Sequence, residues 1–273
     1  MKAFEIGAKN TVIFYMHGLR SHGRAQHTVL QHIVKNVGVS VVSLEMPGHG
    51  EDSIEEHCMV PRYSRIVADI KSEIKNRTLG AEQIILMGYS FGGALMMLAS
   101  EALDKDPEFE PKVAGFIGIS TAFHVGHNVA PWKVAMVNII APLSRFLYYN
   151  FRSASILVTI GEMNAELISP DLRVQDKILS DPLVYKGRIP LNTSAQVFKA
   201  GNMARKALDR VAFPVLLLHS EDDSVALAPS PEKMAANVRL KLFKHLRHNC
   251  IDGLTREAIM SRKTITKFIT ERR

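Results

Sequence analysis

A nucleophilic hydroxyl is the first chemistry this chain offers, in the run Gly88-Tyr89-Ser90-Phe91-Gly92-Gly93. The pattern Gly-x-Ser-x-Gly stands between an apolar stretch at 84–87 and a helix-forming stretch at 94–103. Strand, sharp turn and helix in that order lift a serine hydroxyl above the end of a sheet. Gly88 and Gly92 leave out the Cβ atoms that would collide across so tight a bend. A serine attacks poorly until a base takes its proton, so the reading requires a histidine, and a carboxylate to orient it, elsewhere in the chain.

Both follow in the C-terminal part. A strand-like run at 214–219 leads into Ser220-Glu221-Asp222-Asp223, and a shorter one at 239–243 leads into His245-Leu246-Arg247-His248. The residues alone leave two acids, Asp222 and Asp223, and two histidines, His245 and His248. The order serine, acid, histidine is the one that a nucleophile-elbow architecture uses. Near the start, the β-branched run at 11–16 ends in His17-Gly18-Leu19. A loop after such a strand supplies one backbone N–H of an oxyanion hole and the residue after the nucleophile supplies the other. The expected donors are therefore Leu19 and Phe91, supported by His17, Gly18, Gly88 and Gly92.

These residues need a scaffold, and the pattern between them provides one. A helix is expected at 28–37 and a buried strand at 39–44, followed by a tight loop through Pro47-Gly48-His49-Gly50 to Ser53. Ile66, Ile70 and Ile74 recur every four positions among charges, which predicts an amphipathic helix over 61–75. A further strand is expected at 113–119. Strands alternating with helices predict an α/β fold with a mostly parallel, doubly wound sheet. The alternation stops over 121–210, where no clear strand is legible and the stretch 134–149 is rich in apolar residues around Pro142. This reads as a helical cap inserted into a core made of 1–120 and 211–273. The final stretch, 254–269, has helical spacing.

The chain resembles the serine-hydrolase branch of the α/β-hydrolase fold that contains monoacylglycerol lipases and lysophospholipases, a serine aminopeptidase S33-like group. The similar pieces are His17-Gly18, Pro47-Gly48-His49-Gly50, the run 88–93, Ser180-Asp181-Pro182-Leu183, the stretch 214–225, and His248 with Arg256-Glu257 eight residues on. They cover the chain from about residue 11 to its end. The resemblance implies an aspartate four residues past a histidine, which selects Asp223 counting from His219, and it selects His248 as the base. It further implies ester hydrolysis through an acyl-enzyme on Ser90, with no cofactor, on a lipid ester such as a monoacylglycerol or lysophospholipid. Three departures stand out. Ser220 replaces a usual glycine, Arg20-Ser21-His22 stands where many relatives carry glycine, glutamate and histidine, and the usual N-terminal hairpin is nearly absent. The last suggests seven core strands in place of eight.

Composition narrows the rest. The 273 residues are 47% hydrophobic, and the net charge of +7 is spread among acidic residues with no long basic block. This disfavours nucleic acid and leaves room for a peripheral contact between the cap and anionic lipid. Two cysteines, Cys58 and Cys250, form no disulfide framework, and the start of the chain lacks a signal-peptide pattern, so a cytoplasmic protein is expected. No apolar run is long enough to span a membrane. His124 and His127, and the group His22, His27 and His32, lack ligand partners at metal spacing, so no metal is expected. Acyl transfer or amide cleavage by the same three residues, with Glu162 and Glu166 facing an amine, is the rival enzyme reading. A non-catalytic binding module is the rival from another class.

Overall fold

The computed structural model describes residues 1–6, 11–52, 58–78, 81–109, 111–124, 131–150, 159–160 and 162–272. In chain order the strands are β1 (Ala3–Ile6), β2 (Thr11–Met16), β3 (Ser40–Leu44), β4 (Gln83–Tyr89), β5 (Lys112–Ile119), β6 (Thr159–Ile160), β7 (Ile189–Pro190), β8 (Val215–Ser220) and β9 (Val238–Phe243). The α-helices are α1 (His27–Val37), α2 (Tyr63–Arg77), α3 (Phe91–Asp104), α4 (Pro131–Asn150), α5 (Ala165–Ile168), α6 (Leu172–Ser180), α7 (Leu191–Leu208) and α8 (Arg256–Thr270).

Seven strands form one sheet in the order β1-β3-β2-β4-β5-β8-β9. All pairings are parallel except that of β1 with β3. Among the described residues the sheet has the seven strands expected. The edge strand β1 has too short and mixed a sequence, Ala-Phe-Glu-Ile, to announce itself.

Alternation along β2 explains the layers. Val12, Phe14 and Met16 face α2, α3 and α7, whereas Ile13 and Tyr15 face α1 and α8. Both sides are covered, so the strand is buried throughout and reads as a continuous apolar run. Each such side chain contributes roughly 1.5–3 kcal/mol on burial. Ile66, Ile70 and Ile74 of α2 are fully buried on the first of these layers, as their spacing predicts. Helix α1 ends on Gly38 at φ +70, whose N–H returns to the Val34 carbonyl.

Between β5 and β8 the chain leaves the sheet. It makes α4, the two-residue antiparallel pair of β6 with β7, the short helices α5 and α6, and then α7. A pair of two-residue strands carries no periodicity, so it is invisible in sequence. Helix α7 packs on α3, burying Ala200, Ala204, Ala207 and Leu208 in the core cluster. Arg210 then forks onto Glu101 of α3, at 2.6 and 2.8 Å. The last part of the 121–210 stretch thus lies in a helical layer of the main sheet. Ser53 and His127 fall outside the described residues.

Strand β3 lies on one side of β2 and β4 on the other, so the winding reverses between β2 and β4. In an open α/β sheet, the crevice at the carboxyl ends of such a pair is where ligands sit. The loops after these two strands carry Leu19 and Ser90.

Candidate active site

Ser90 occupies the turn between β4 and α3 with φ 54° and ψ −123°, a conformation that a residue with a Cβ adopts only when its surroundings impose it. Those surroundings are visible. The Ser90 N–H donates to the Ile119 carbonyl at 2.9 Å, and the Ser90 carbonyl accepts from Ala122 at 3.1 Å. A Cβ on Gly88 would come within 2.6 Å of the Gly92 carbonyl oxygen, and one on Gly92 within 2.1 Å of the His17 carbonyl oxygen. The two glycines therefore let the elbow fold on itself and press against the loop after β2.

His248 Nε2 lies 2.8 Å from Ser90 Oγ, and His248 Nδ1 lies 2.8 Å from Asp223 Oδ2. A carboxylate only accepts, so Nδ1 carries the proton and Nε2 is left to accept the serine hydroxyl. All three side chains are buried. Asp223 is fully engaged. Its Oδ1 accepts the N–H groups of Val225 and Ala226 at 2.9 and 3.0 Å, and His219 Nε2 stands 3.1 Å from its Oδ2. Burial alone would raise the Asp223 carboxyl, but His248 and His219 outweigh it and hold the group well below the usual carboxylate range. Asp222 and His245 lie outside this line and face each other at its exposed edge.

Leu19 and Phe91 both border the cavity over Ser90, Phe91 as the first residue of α3, whose leading amides have no intrahelical acceptor. Gly18 lets the Leu19 loop approach the elbow: a Cβ there would meet the Tyr89 ring at 2.9 Å and Ser90 Cβ at 3.1 Å. His17 is fully buried and bonded within the loops. Its Nε2 lies 2.6 Å from Glu45 Oε1, and that carboxylate also takes the Gly23 N–H at 3.2 Å. His22 Nε2 reaches Asp181 Oδ2 at 2.9 Å, which ties the same loop to the end of α6.

The sequence reading assigns no site role to three of these partners, Glu45, His219 and Asp181. Asp181 stands there only within Ser-Asp-Pro-Leu and His219 only as the residue from which Asp223 is counted, while Glu45 goes unremarked. The available signal was a polar side chain at an element's end: Glu45 just past β3, His219 near the end of β8 and Asp181 just past α6. Glu162 borders the cavity as an exposed residue, while Glu166 lies on α5.

The cavity measures about 310 Å³ and is lined mainly by apolar groups, among them Leu19, Phe91, Leu167, Val197 and Phe198. A smaller annex of about 60 Å³ adjoins it across Leu19, Tyr89, Met163 and Ile168 and is more polar, with Gln26, Asn249, Asp252 and Asp181 on its walls. Gln26 and Asn249 both donate to Asp252 Oδ2, at 3.3 and 2.8 Å.

The monoglyceride lipase homolog of monkeypox virus is 22% identical over 94% of this chain and 87% of its own length. Mouse monoglyceride lipase is 26% identical over 80% of this chain and 66% of its own. The crystal structure of Paleococcus ferrophilus monoacylglycerol lipase superposes with a TM-score of 0.78, covering 100% of this chain and 99% of that one at 19% identity, which speaks for the fold. Residues 7–252 match the family model described as serine aminopeptidase, S33. The chain belongs to that family and has the α/β-hydrolase fold.

Proposed function

We propose that this chain is a carboxylic ester hydrolase that acts through an acyl-enzyme on Ser90. The carrying observation is the unbroken line from Asp223 through His248 to Ser90 Oγ, opening on an apolar cavity of about 310 Å³. His248 takes the Ser90 proton as Oγ attacks the ester carbonyl, and Asp223 fixes the tautomer and stabilises the imidazolium. The N–H groups of Leu19 and Phe91 stabilise the tetrahedral oxyanion. His248 returns the proton to the leaving alcohol, and water then releases the acid by the reverse sequence.

The substrate reading is a monoacylglycerol or a lysophospholipid. The apolar cavity suits one acyl chain, and the polar side chains set into the otherwise apolar annex, Gln26 and Asn249 among them, suit the alcohol; the monoglyceride lipases among the relatives support the same choice. Elements within 121–210 serve as a cap over the site, since Met163, Leu167 and Phe198 wall the cavity. A membrane-facing role for this cap rests on α4, where Met136, Ile139, Leu143 and Phe146 recur on one face and are exposed, Ile139 by 77%. No helix among the described residues is long and apolar enough to cross a membrane. Both cysteines are free, which suits a reducing, cytoplasmic setting.

Hydrolysis of p-nitrophenyl esters from acetyl to palmitoyl, then of monoacylglycerol and lysophosphatidylcholine, tests this reading with Ser90→Ala as control. Turnover that favours medium or long chains and vanishes in Ser90→Ala supports it. A wild-type protein inert on every ester while active on amides or acyl acceptors overturns it.

A further inference from the structure

The loop after β2 carries one residue whose backbone and side chain are both in unfavourable settings. The Ser21 N–H donates to the Gly18 carbonyl at 3.2 Å, closing a four-residue turn whose third position is Arg20 with φ +69°. Positive φ at that position marks a type II turn, where glycine or asparagine is ordinary because a Cβ is crowded there. Arg20 is also buried, and burial pulls its guanidinium below the usual arginine value. Nothing in turn chemistry asks for an arginine here.

The compensation comes from two sides. Toward the cap, Arg20 Nη1 donates to the Gly187 carbonyl at 2.7 Å, while the Arg20 carbonyl accepts the Tyr185 N–H at 2.9 Å. Toward the core, the Arg20 main-chain N–H faces the Cys58 sulfur. That sulfur lies 3.0 Å from His49 Nε2, and His49 Nδ1 lies 3.0 Å from the Pro47 carbonyl. The carbonyl fixes the proton on Nδ1, so the Cys58 thiol donates to Nε2. Burial raises the Cys58 thiol to about 12 and lowers His49 to about 3, so the pair stays neutral across ordinary pH. The turn is thus held between the cap and a buried cysteine–histidine pair, one residue past Leu19.

We propose that Arg20 is a positioning residue for the oxyanion hole: clamped between Gly187, Tyr185 and the Cys58–His49 pair, it holds the Leu19 N–H where the negative oxygen develops. This rests on the ester-hydrolase reading of Ser90. Arg20 touches no reacting atom in this scheme; it acts through the turn.

The discriminating variant is Arg20→Gly, because glycine relieves the positive φ and so favours the turn while deleting the side-chain clamp. The expected result is a kcat lower by about 10- to 100-fold, with KM within about twofold and an unchanged melting temperature, the size of effect that a slight misplacement of a catalytic group produces. Arg20→Lys, which keeps a donor for the Gly187 carbonyl, recovers part of the rate. The rate of Ser90 labelling by a fluorophosphonate falls in parallel, since that adduct uses the same oxyanion site. Wild-type kcat in Arg20→Gly overturns the proposal. So does a loss confined to KM, which would make Arg20 a substrate-binding cation, or a loss that tracks a fall in melting temperature. A wild-type protein that is labelled but cleaves no ester would refute the ester reading alone, and the labelling rates would still decide the role of Arg20.

Discussion

Asp222 and His245 hold each other. The Asp222 carboxylate accepts the His245 backbone N–H at 2.6 Å and faces its ring nitrogen Nδ1 at 3.4 Å, at the exposed edge of the loops that carry Asp223 and His248. The neighbouring acid and the neighbouring histidine are thereby paired with one another, while Asp223 and His248 form the line to Ser90. His245 itself sits at φ +60, and its contact with Asp222 helps to hold that loop conformation. Asp222→Asn is expected to keep kcat within about twofold of wild type, since exposed pairs contribute little. Asp223→Asn is expected to lower it by about 10⁴-fold, the effect of losing the correct histidine tautomer. Steady-state kinetics on one soluble ester compare the two.

The same carboxylate makes a prediction about stability and pH. Burial works against the charge on Asp223, but His248 and His219 hold its folded pKa below the unfolded value. A depressed pKa contributes stability that is fully present above the unfolded value of about 3.9 and is lost as pH falls through the folded value. The stability gap between wild type and Asp223→Asn should therefore be constant from pH 7 to about 5 and shrink below about pH 4. Urea unfolding midpoints at several pH values measure it. A gap that widens on acidification would mean that the carboxylate is not held in this way.

Gly92 is the point where the elbow meets the His17 loop. A Cβ there would lie 2.1 Å from the His17 carbonyl oxygen, with backbone on both sides and no side chain to yield. Gly92→Ala should cost about 1–3 kcal/mol or more of stability. It should also depress kcat in whatever fraction folds, because the shift separates Phe91 from Leu19. Thermal unfolding together with titration of labelled active sites distinguishes the two losses.

Much of this was legible in the chain itself. The elbow announces itself because strand, glycines, serine and helix are contiguous, and Ile66, Ile70 and Ile74 reveal their helix because one face is wholly buried. What stayed hidden depends on contacts between distant segments. Nothing in the residues alone chooses Asp223 over Asp222; the choice came from the resemblance, and in the structure it is a matter of which carboxylate meets His248 and His219. Strand β1 is too short to show a period, and β6 with β7 shorter still. Helix α7 both walls the cavity, through Val197 and Phe198, and packs its later turns on α3, a double role that a lack of strands over 121–210 does not reveal. The Arg20 clamp was visible only as a departure from a usual glycine.

The exposed face of α4 gives a prediction about where the substrate is met. Ile139→Asp and Phe146→Asp place charge on a stripe that the proposed function turns toward lipid. They should reduce the rate on substrate carried in phosphatidylglycerol vesicles several-fold, while hydrolysis of dissolved p-nitrophenyl acetate stays at the wild-type rate. Equal rates for the variants on both forms would remove the membrane reading and leave the chemistry untouched.

The central claim is that the ester's acyl group rests on Ser90 during turnover, and acid-quenched turnover followed by peptide mass analysis tests it most directly. The account predicts an added mass equal to the acyl group on the peptide that contains Ser90, lost in Ser90→Ala together with hydrolysis. An adduct on another residue, or undiminished hydrolysis by Ser90→Ala, would contradict it.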